Sequence, residues 1–89
     1  RKSVELTMNQ NFPNPFVEST LITYSVKTPS LVNFTVMSLL GEKVFTNTYQ
    51  AKEGENTIPF RADNLSKGIY FYSLEIEGKR VTKRMVITK

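Results

Sequence analysis

The sequence predicts an all-β fold, an antiparallel β-sandwich of Greek-key type with about seven strands. Short runs of alternating apolar and polar residues recur along the whole 89-residue chain, which is the pattern of half-buried strands. Turn signals separate these runs about every ten residues, a spacing typical of a sandwich. No apolar pattern with helical spacing extends over three turns, which argues against a parallel sheet with helical crossovers.

The first half of the chain predicts four strands. Residues 3–9 alternate apolar and polar side chains, and residues 20–26 place β-branched and aromatic side chains on one face. Residues 32–39 and 43–50 form a predicted hairpin. Its turn centres on Gly41, the residue there that suits a positive φ.

The segment "NFPNPF" lies between the first two predicted strands. Proline fixes φ and biases the residue before it to extended geometry, so Phe12-Pro13 and Asn14-Pro15 predict one rigid, extended kink. This kink can carry the chain from one strand to the next, with Phe12 or Phe16 plugging the end of the sandwich. A recognition loop is an equally good interpretation of the segment.

The second half of the chain predicts three further strands. Residues 56–60 form a short one, whose proline places it at a sheet edge or in a bulge. Residues 61–68 form a compact loop in which Leu65 turns inward. The strongest strand pattern of the chain covers residues 68–76, and a short turn leads from it into a last strand over residues 80–89.

Two tyrosines in the strongest predicted strand allow two interpretations. Tyr70 and Tyr72 flank Phe71 and could form a stacking platform for sugars or bases. They also share one strand face with Leu74 and Ile76. That alignment favours a place in the core.

The composition excludes several classes of enzyme. The chain has no cysteine and no histidine, so a catalytic triad and a zinc site are both excluded. A glycosidase pair among the eight acids would need a pocket to raise a pKa, for which a thin core leaves little room. The four glycines are isolated turn residues and form no phosphate-binding loop. We therefore expect no enzyme, no metal and no cofactor.

Positive charge is concentrated at the end of the chain. The net charge is +4, and the last eleven residues contain no acid and five basic residues, Lys79, Arg80, Lys83, Arg84 and Lys89. They could form a patch for nucleic acid, anionic lipid or another acidic surface. The more frequent arrangement is a solvated edge strand that its charges keep soluble. Because the stacking signature of an RNA-binding sheet is missing, we expect no nucleic-acid partner.

We expect residues 1–89 to form a single domain. No run reaches the roughly 18 apolar residues of a membrane-spanning helix, and the start of the chain lacks the pattern of a signal peptide. The first residue is Arg1 and not methionine. This predicts a domain from a longer polypeptide, with residues 1–9 including the end of a linker from an upstream domain.

Five motifs together carry a resemblance to a known family. They are "NFPNPF", "TLITYSV", "VNFTVMSLLGEKV", "GENTIPFRADNLSKGIYFYSLE" and "KRMVITK", and they follow one another between Asn11 and Lys89. In order and spacing the set resembles the C-terminal sorting domain, type A, of proteins exported by the bacterial type IX (Por) secretion system. The chain departs from the family at Ser38, directly before "LLG", where the family often has an aspartate. This difference affects a contact in the turn more than the resemblance.

The resemblance implies an Ig-like sandwich that acts as a secretion signal and not as a catalyst. A cargo upstream of Arg1 would pass through the periplasm and cross the outer membrane by the type IX translocon and its cargo shuttle. A sortase-like peptidase would then remove the domain, and the cargo would be secreted or attached to the surface of a Gram-negative cell. Membrane association would be only indirect, and weak self-association through edge strands stays open.

The parts that resemble the family's recognition elements are the proline motif and the last strand. The residues expected to take part are Pro13, Asn14, Pro15, Phe16, Gly68, Tyr70, Lys83, Arg84 and Lys89. The basic residues of the last strand predict docking on an acidic or strand-accepting surface of the translocon.

An Ig-like or fibronectin-like module that spaces or adheres is the main alternative, with carbohydrate as one ligand class. Such a module would bind its ligand in isolation and could occupy any position in its parent protein. A sorting domain should be strictly C-terminal. The position in the parent gene therefore distinguishes the two hypotheses.

Overall fold

The protein is an all-β sandwich of seven strands in the computed structural model, which describes residues 5–88. In chain order the strands are β1 (Leu6–Met8), β2 (Ser19–Val26), β3 (Ser30–Ser38), β4 (Lys43–Ala51), β5 (Gly54–Arg61), β6 (Gly68–Ile76) and β7 (Lys79–Ile87). The predicted fold class is thus confirmed. The described residues include no helix, and so none that could cross a membrane.

Two antiparallel sheets form the layers of the sandwich. The smaller sheet has the strand order β1-β2-β5, and the larger has the order β4-β3-β6-β7. Neighbours in the order pair antiparallel throughout. Because β2 pairs with β5 and β3 pairs with β6, the chain crosses between layers as a Greek key does. In the described part of the chain, β1, β5, β4 and β7 are edge strands.

The observed strands differ from the predicted ones mainly at their ends. β1 is shorter than predicted, and Ser3 and Val4 lie outside the described residues. β5 runs two residues earlier and one residue later than predicted, and its place at a sheet edge agrees with Pro59. Lys89, at the end of the predicted last strand, also lies outside the described residues.

The predicted hairpin of β3 and β4 is confirmed, with Gly41 at φ +87°. The register shifts between Val36 and Met37, which marks a bulge that the alternation of the sequence does not show. At the tip, the Ser38 hydroxyl accepts hydrogen bonds from the N–H groups of Leu40 and Glu42, both at 3.3 Å. Serine therefore fills the turn contact in this chain.

The core lies between the inward faces of the two sheets. Tyr70, Tyr72, Leu74 and Ile76 are all buried, so the core interpretation of the tyrosines is confirmed. Phe71 points to the other face and is half-buried. Leu65 packs against the core from its loop, as predicted.

An aromatic cluster fills the β4 and β5 side of the core. The centroid of the Phe34 ring lies 6.0 Å from the ring centroid of Phe45 and 6.1 Å from that of Phe60. Both pairs are in edge-to-face orientation. Phe34 also lies 6.4 Å from Tyr49 and 6.5 Å from Tyr72. These distances are favourable for aromatic pairs, each of which adds about 0.5–1.5 kcal/mol beyond its buried area.

Candidate recognition surface

The proline segment, which we define as residues 10–16, begins in the smaller sheet. Phe12 and Leu21 exchange backbone hydrogen bonds in both directions, each at 3.0 Å, in an antiparallel bridge. This bridge extends the pairing of β1 with β2 beyond the end of β1. The first half of the segment is therefore part of the smaller sheet.

The same segment ends in the larger sheet. Phe16 forms a parallel bridge with Ile87. Its N–H donates to the carbonyl of Val86 at 3.0 Å, and its carbonyl accepts from the N–H of Thr88 at 2.9 Å. The segment thus switches sheets within four residues and adds one residue to the outer edge of β7.

Asn14 strengthens this junction through its side chain. Its Oδ1 accepts a hydrogen bond from the backbone N–H of Val86 at 2.9 Å. The carbonyl and the N–H of Val86 are then both bound by the proline segment. Two regions that lie 72 residues apart in sequence form one continuous surface.

The bend between the two bridges has a different shape from the predicted extended kink. Residues 13–15 form a bend and are exposed. The peptide bonds Phe12-Pro13 and Asn14-Pro15 are both cis. The prediction of an extended conformation was wrong, because the bend at residues 13–15 turns the chain from one sheet to the other.

The two phenylalanines of the proline segment have opposite environments. Phe16 is 3% exposed and belongs to the hydrophobic core, whereas Phe12 is 77% exposed. Of the two residues proposed as the plug at the end of the sandwich, Phe16 takes this role. Phe12 remains on the surface, close to the exposed prolines.

A buried hydrogen-bond network holds the bend on the core side. The Tyr72 hydroxyl accepts from the N–H of Asn11 at 2.8 Å and donates to the carbonyl of Asn9 at 3.2 Å. The Asn11 side chain donates to the carbonyl of Pro13 at 3.2 Å and to Thr20 Oγ1 at 3.0 Å. Asn11 and Thr20 are each 2% exposed, so these bonds replace lost contacts with water.

Burial also changes the acidity of the central group in this network. The pKa of the Tyr72 phenol is raised, chiefly by desolvation, while the hydrogen bond from Asn11 acts in the opposite direction. The hydroxyl is therefore neutral at physiological pH. In this form it can donate and accept at once, as the network requires.

Gly68 and Tyr70 lie behind the junction on β6. Gly68 pairs with Ile87, and Tyr70 pairs with Met85. Gly68 has φ +150°, a region that L side chains rarely adopt. Tyr70 is buried, and its hydroxyl donates a hydrogen bond to the carbonyl of Ser66 at 2.8 Å. This bond fixes the loop before β6.

The basic residues of β7 lie beside the same junction. Arg80 contacts Glu75 at 3.3 Å. Within the described residues, Lys79, Lys83 and Arg84 have no carboxylate within salt-bridge distance. Arg84 is exposed and Lys83 is half-buried. Of the nine residues expected to take part in recognition, six thus lie at one edge of the sandwich. Two more, Gly68 and Tyr70, lie on the neighbouring inner strand β6, and Lys89 lies outside the described residues.

A comparison with protein-family models identifies the family of this chain. The model described as the secretion system C-terminal sorting domain matches residues 10–88. The chain belongs to this type IX sorting-domain family. Membership makes the domain a signal for a secreted or cell-surface cargo protein. The family is not known as catalytic.

A similar fold occurs in other solved structures. A crystal structure of a β-glucosidase from Listeria innocua in complex with glucose aligns with 98% of this chain at a TM-score of 0.57 and 8% identity. The aligned part is 16% of that enzyme. At this identity the similarity shows the sandwich architecture alone. Comparison with curated protein sequences gives no match.

The sorting domain also has a groove on the opposite side of the sandwich. It has a volume of about 320 Å³ between β4 and β5. Its lining includes Phe45, Phe60 and Leu65. On its rim Arg61 and Asp63 form an exposed ion pair at 3.1 Å.

Several residues that hold this surface together were not predicted from the sequence. They are Gln10, whose side chain donates to the carbonyl of Arg84 at 2.6 Å, together with Asn11, Thr20 and Val86. Asn11 gave no clear signal, because its burial depends on how the proline segment packs on Tyr72. Val86 carried none, since its role depends on its backbone.

Proposed function

We propose that this domain directs an upstream cargo protein through the type IX outer-membrane translocon, and that the translocon reads the joined surface of the proline segment and β7. The observation that carries the proposal is the double contact of the proline segment with Val86. It places the two candidate elements side by side on a folded scaffold. The exposed prolines and the basic side chains of Lys83 and Arg84 border this contact.

A folded signal of this kind has a physical advantage over a flexible tail. Binding costs conformational entropy for every side chain and loop that it immobilises. The hydrogen bonds of Asn11, Asn14 and Tyr72 already fix the bend in the free domain. The partner would therefore bind a preorganised surface and spend less of its binding energy on ordering it.

The proposed partners follow from this role. They are the translocon with its cargo shuttle, and a sortase-like peptidase that removes the domain as the cargo is attached to the cell surface. The cargo would pass through the periplasm first. The net charge of +4 and the uncompensated cations of β7 support a partner surface with negative charge.

A fusion experiment tests the proposal. A periplasmic reporter carrying its own signal peptide is placed before residues 1–89 in a host with a type IX system. We expect the reporter outside the outer membrane and an epitope on the domain to be lost at the cell surface. The control reverses the order, with the domain before the reporter, and should stay in the periplasm. Equal export of both orders, or of neither, contradicts the proposal.

The groove between β4 and β5 supports a second candidate function, that of a carbohydrate-binding adhesion module. Its exposed aromatic, Phe45, lies beside the polar side chains of Asp63 and Asn64, which is a combination found in ligand sites. Titration of the isolated chain with a panel of oligosaccharides tests it. Saturable binding that Phe45→Ala abolishes would support this function, and no binding would exclude it.

A further inference from the structure

We infer that the outer edge of β7 from Arg80 to Arg84 accepts an extended acidic peptide of a partner protein as an added strand. This inference rests on the proposed function of β7 and adds the chemistry of the partner and the position at which it binds. Its basis is the direction of the backbone groups along β7, the extent of the proline segment and the distribution of charge.

Alternate residues of β7 direct their backbone groups away from β6. The carbonyls of Arg84 and Val86 and the N–H of Val86 all bind the proline segment on the outer side. The register of β6 with β7 is continuous from Gly68 to Lys79. Because backbone groups alternate in direction along an antiparallel strand, those of Thr82 must also point outward.

The proline segment covers only the end of this outer edge. Its contacts reach from the carbonyl of Arg84 to the N–H of Thr88. Within residues 5–88 no strand pairs with the outer edge from Arg80 to Thr82. The N–H and carbonyl of Thr82 are therefore available to a partner strand.

The side chains around this open edge favour an acidic partner. Lys79, Lys83 and Arg84 are without an acidic partner among the described residues, and Arg80 has only Glu75. Glutamates at alternate positions of an added strand all lie on one face. They would lie across from Arg80 and Arg84, which share one face of β7, and each such pair contributes about 0.2–1 kcal/mol. The same cations repel the edge of a second basic copy.

The other edges are less suited to this role. β5 carries Pro59, which lacks an N–H donor. β4 contains one charged residue, Lys43, and its Thr48 N–H already donates to Asn47 Oδ1 at 2.9 Å. β1 is three residues long. Among the described edge strands, β7 has the most basic residues, four in all, beside the open donor and acceptor of Thr82.

An NMR titration tests the inference directly. The probe is a short, end-blocked peptide of alternating glutamate and valine, added to the ¹⁵N-labelled chain at low ionic strength. We expect shifts of the amide signals of Arg80, Thr82 and Arg84 and slower exchange of the Thr82 amide hydrogen. A peptide with lysine in place of glutamate should bind at least about tenfold more weakly, a difference of about 1.4 kcal/mol.

Two matched variants separate strand addition from a general attraction of charges. Thr82→Pro removes the outward donor on β7, and Thr48→Pro removes the corresponding donor on β4. Proline is tolerated on an edge whose N–H faces solvent, and thermal unfolding confirms that both variants fold. Only Thr82→Pro should weaken peptide binding. If Thr82→Pro does not fold, Arg84→Gln takes its place. This variant keeps the backbone donor and should weaken binding of the glutamate peptide.

Four results would each overturn the inference: no binding, equal binding of the lysine peptide, shifts centred on β4, or an unprotected Thr82 amide in the complex. Export of the reporter fusion separates such a failure from a failure of the proposed function. If the peptide does not bind but export still depends on Lys83 and Arg84, the translocon reads β7 in another way. If the peptide binds and export is independent of both residues, the proposed function is wrong and the strand-accepting edge remains.

Discussion

The side chain of Asn14 accepts a hydrogen bond from the backbone N–H of Val86 at 2.9 Å. The bond joins the bend of the proline segment to the outer edge of the last strand. It is exposed to solvent, so water can replace either partner. Its main effect is to fix the relative position of two elements that the sequence places far apart.

Replacement of Asn14 by alanine should loosen this junction without unfolding the domain. We expect Asn14→Ala to cost about 0.5–1 kcal/mol, the range for an exposed hydrogen bond whose donor can bind water instead. The amide hydrogen of Val86 should exchange faster by hydrogen-exchange NMR. Asn64→Ala, at an exposed loop position, is the control and should leave Val86 exchange unchanged. Equal exchange in both variants would show that the bond does not form in solution.

The two phenylalanines of the proline segment should respond very differently to truncation. Phe16→Ala removes a buried side chain and should cost about 3–5 kcal/mol. That is a large part of the roughly 4–13 kcal/mol expected for 89 residues. Phe12→Ala, at an exposed position, should stay within about 0.5 kcal/mol of the parent chain. Urea unfolding measures both, and similar losses of stability would contradict the observed burial.

Tyr72 should make the stability of the domain depend on alkaline pH. Because burial raises the pKa of this phenol above its usual value of about 10, the native state holds the neutral form. Its contribution to stability is complete below about pH 10 and is lost as the pH rises through the native pKa. Unfolding free energies measured across this range should fall less steeply for Tyr72→Phe than for the parent chain.

Tyr24→Phe is the matched control for Tyr72→Phe. Burial likewise raises the pKa of Tyr24, with a smaller contribution from Tyr49, so this variant should also flatten the alkaline slope. At neutral pH the two variants should differ. Tyr72→Phe leaves the Asn11 N–H without its acceptor and should cost about 1–3 kcal/mol, whereas the Tyr24 hydroxyl makes no hydrogen bond to the described residues. Equal stability of both variants at pH 7 would contradict the network.

Gly68 should tolerate no side chain without strain. Its φ of +150° is unfavourable for L residues, although a Cβ there would meet no atom within 4 Å. Gly68→Ala should therefore cost about 1–3 kcal/mol through the backbone alone. Lys67→Ala, one residue earlier and exposed, is the control. Thermal unfolding of the two variants checks this, and no difference between them would show that the backbone can relax at Gly68.

Local patterns predicted most of the fold. Alternation placed the strands because the side-chain period of a strand is two, and Gly41 marked a turn because few residues adopt positive φ. The bulge beside Val36 was not predictable, since an inserted residue changes the pairing but not the local composition. The ends of β1 and β5 also differed, because ladder bonds to a neighbouring strand decide where a strand stops.

The candidate surface was predicted only as two separate pieces. The resemblance selected the proline segment and the last strand, but nothing in either stretch shows that they touch. Their contact depends on the switch of the chain between sheets, which requires Phe12 to bind β2 and Phe16 to bind β7. The sequence also left open which phenylalanine is buried. The packing at the end of the sandwich decides this, and it involves residues from several strands.

Export of the reporter fusion with altered charge on β7 tests whether the translocon recognises the basic edge of this strand. The variant is Lys83→Gln with Arg84→Gln, and the matched control is Lys43→Gln with Lys52→Gln, which removes the same charge from exposed positions on the β4 side. We expect reduced export of the first variant alone, with both melting temperatures close to that of the parent fusion. Equal export of the two variants would show that the translocon does not read the basic edge of β7.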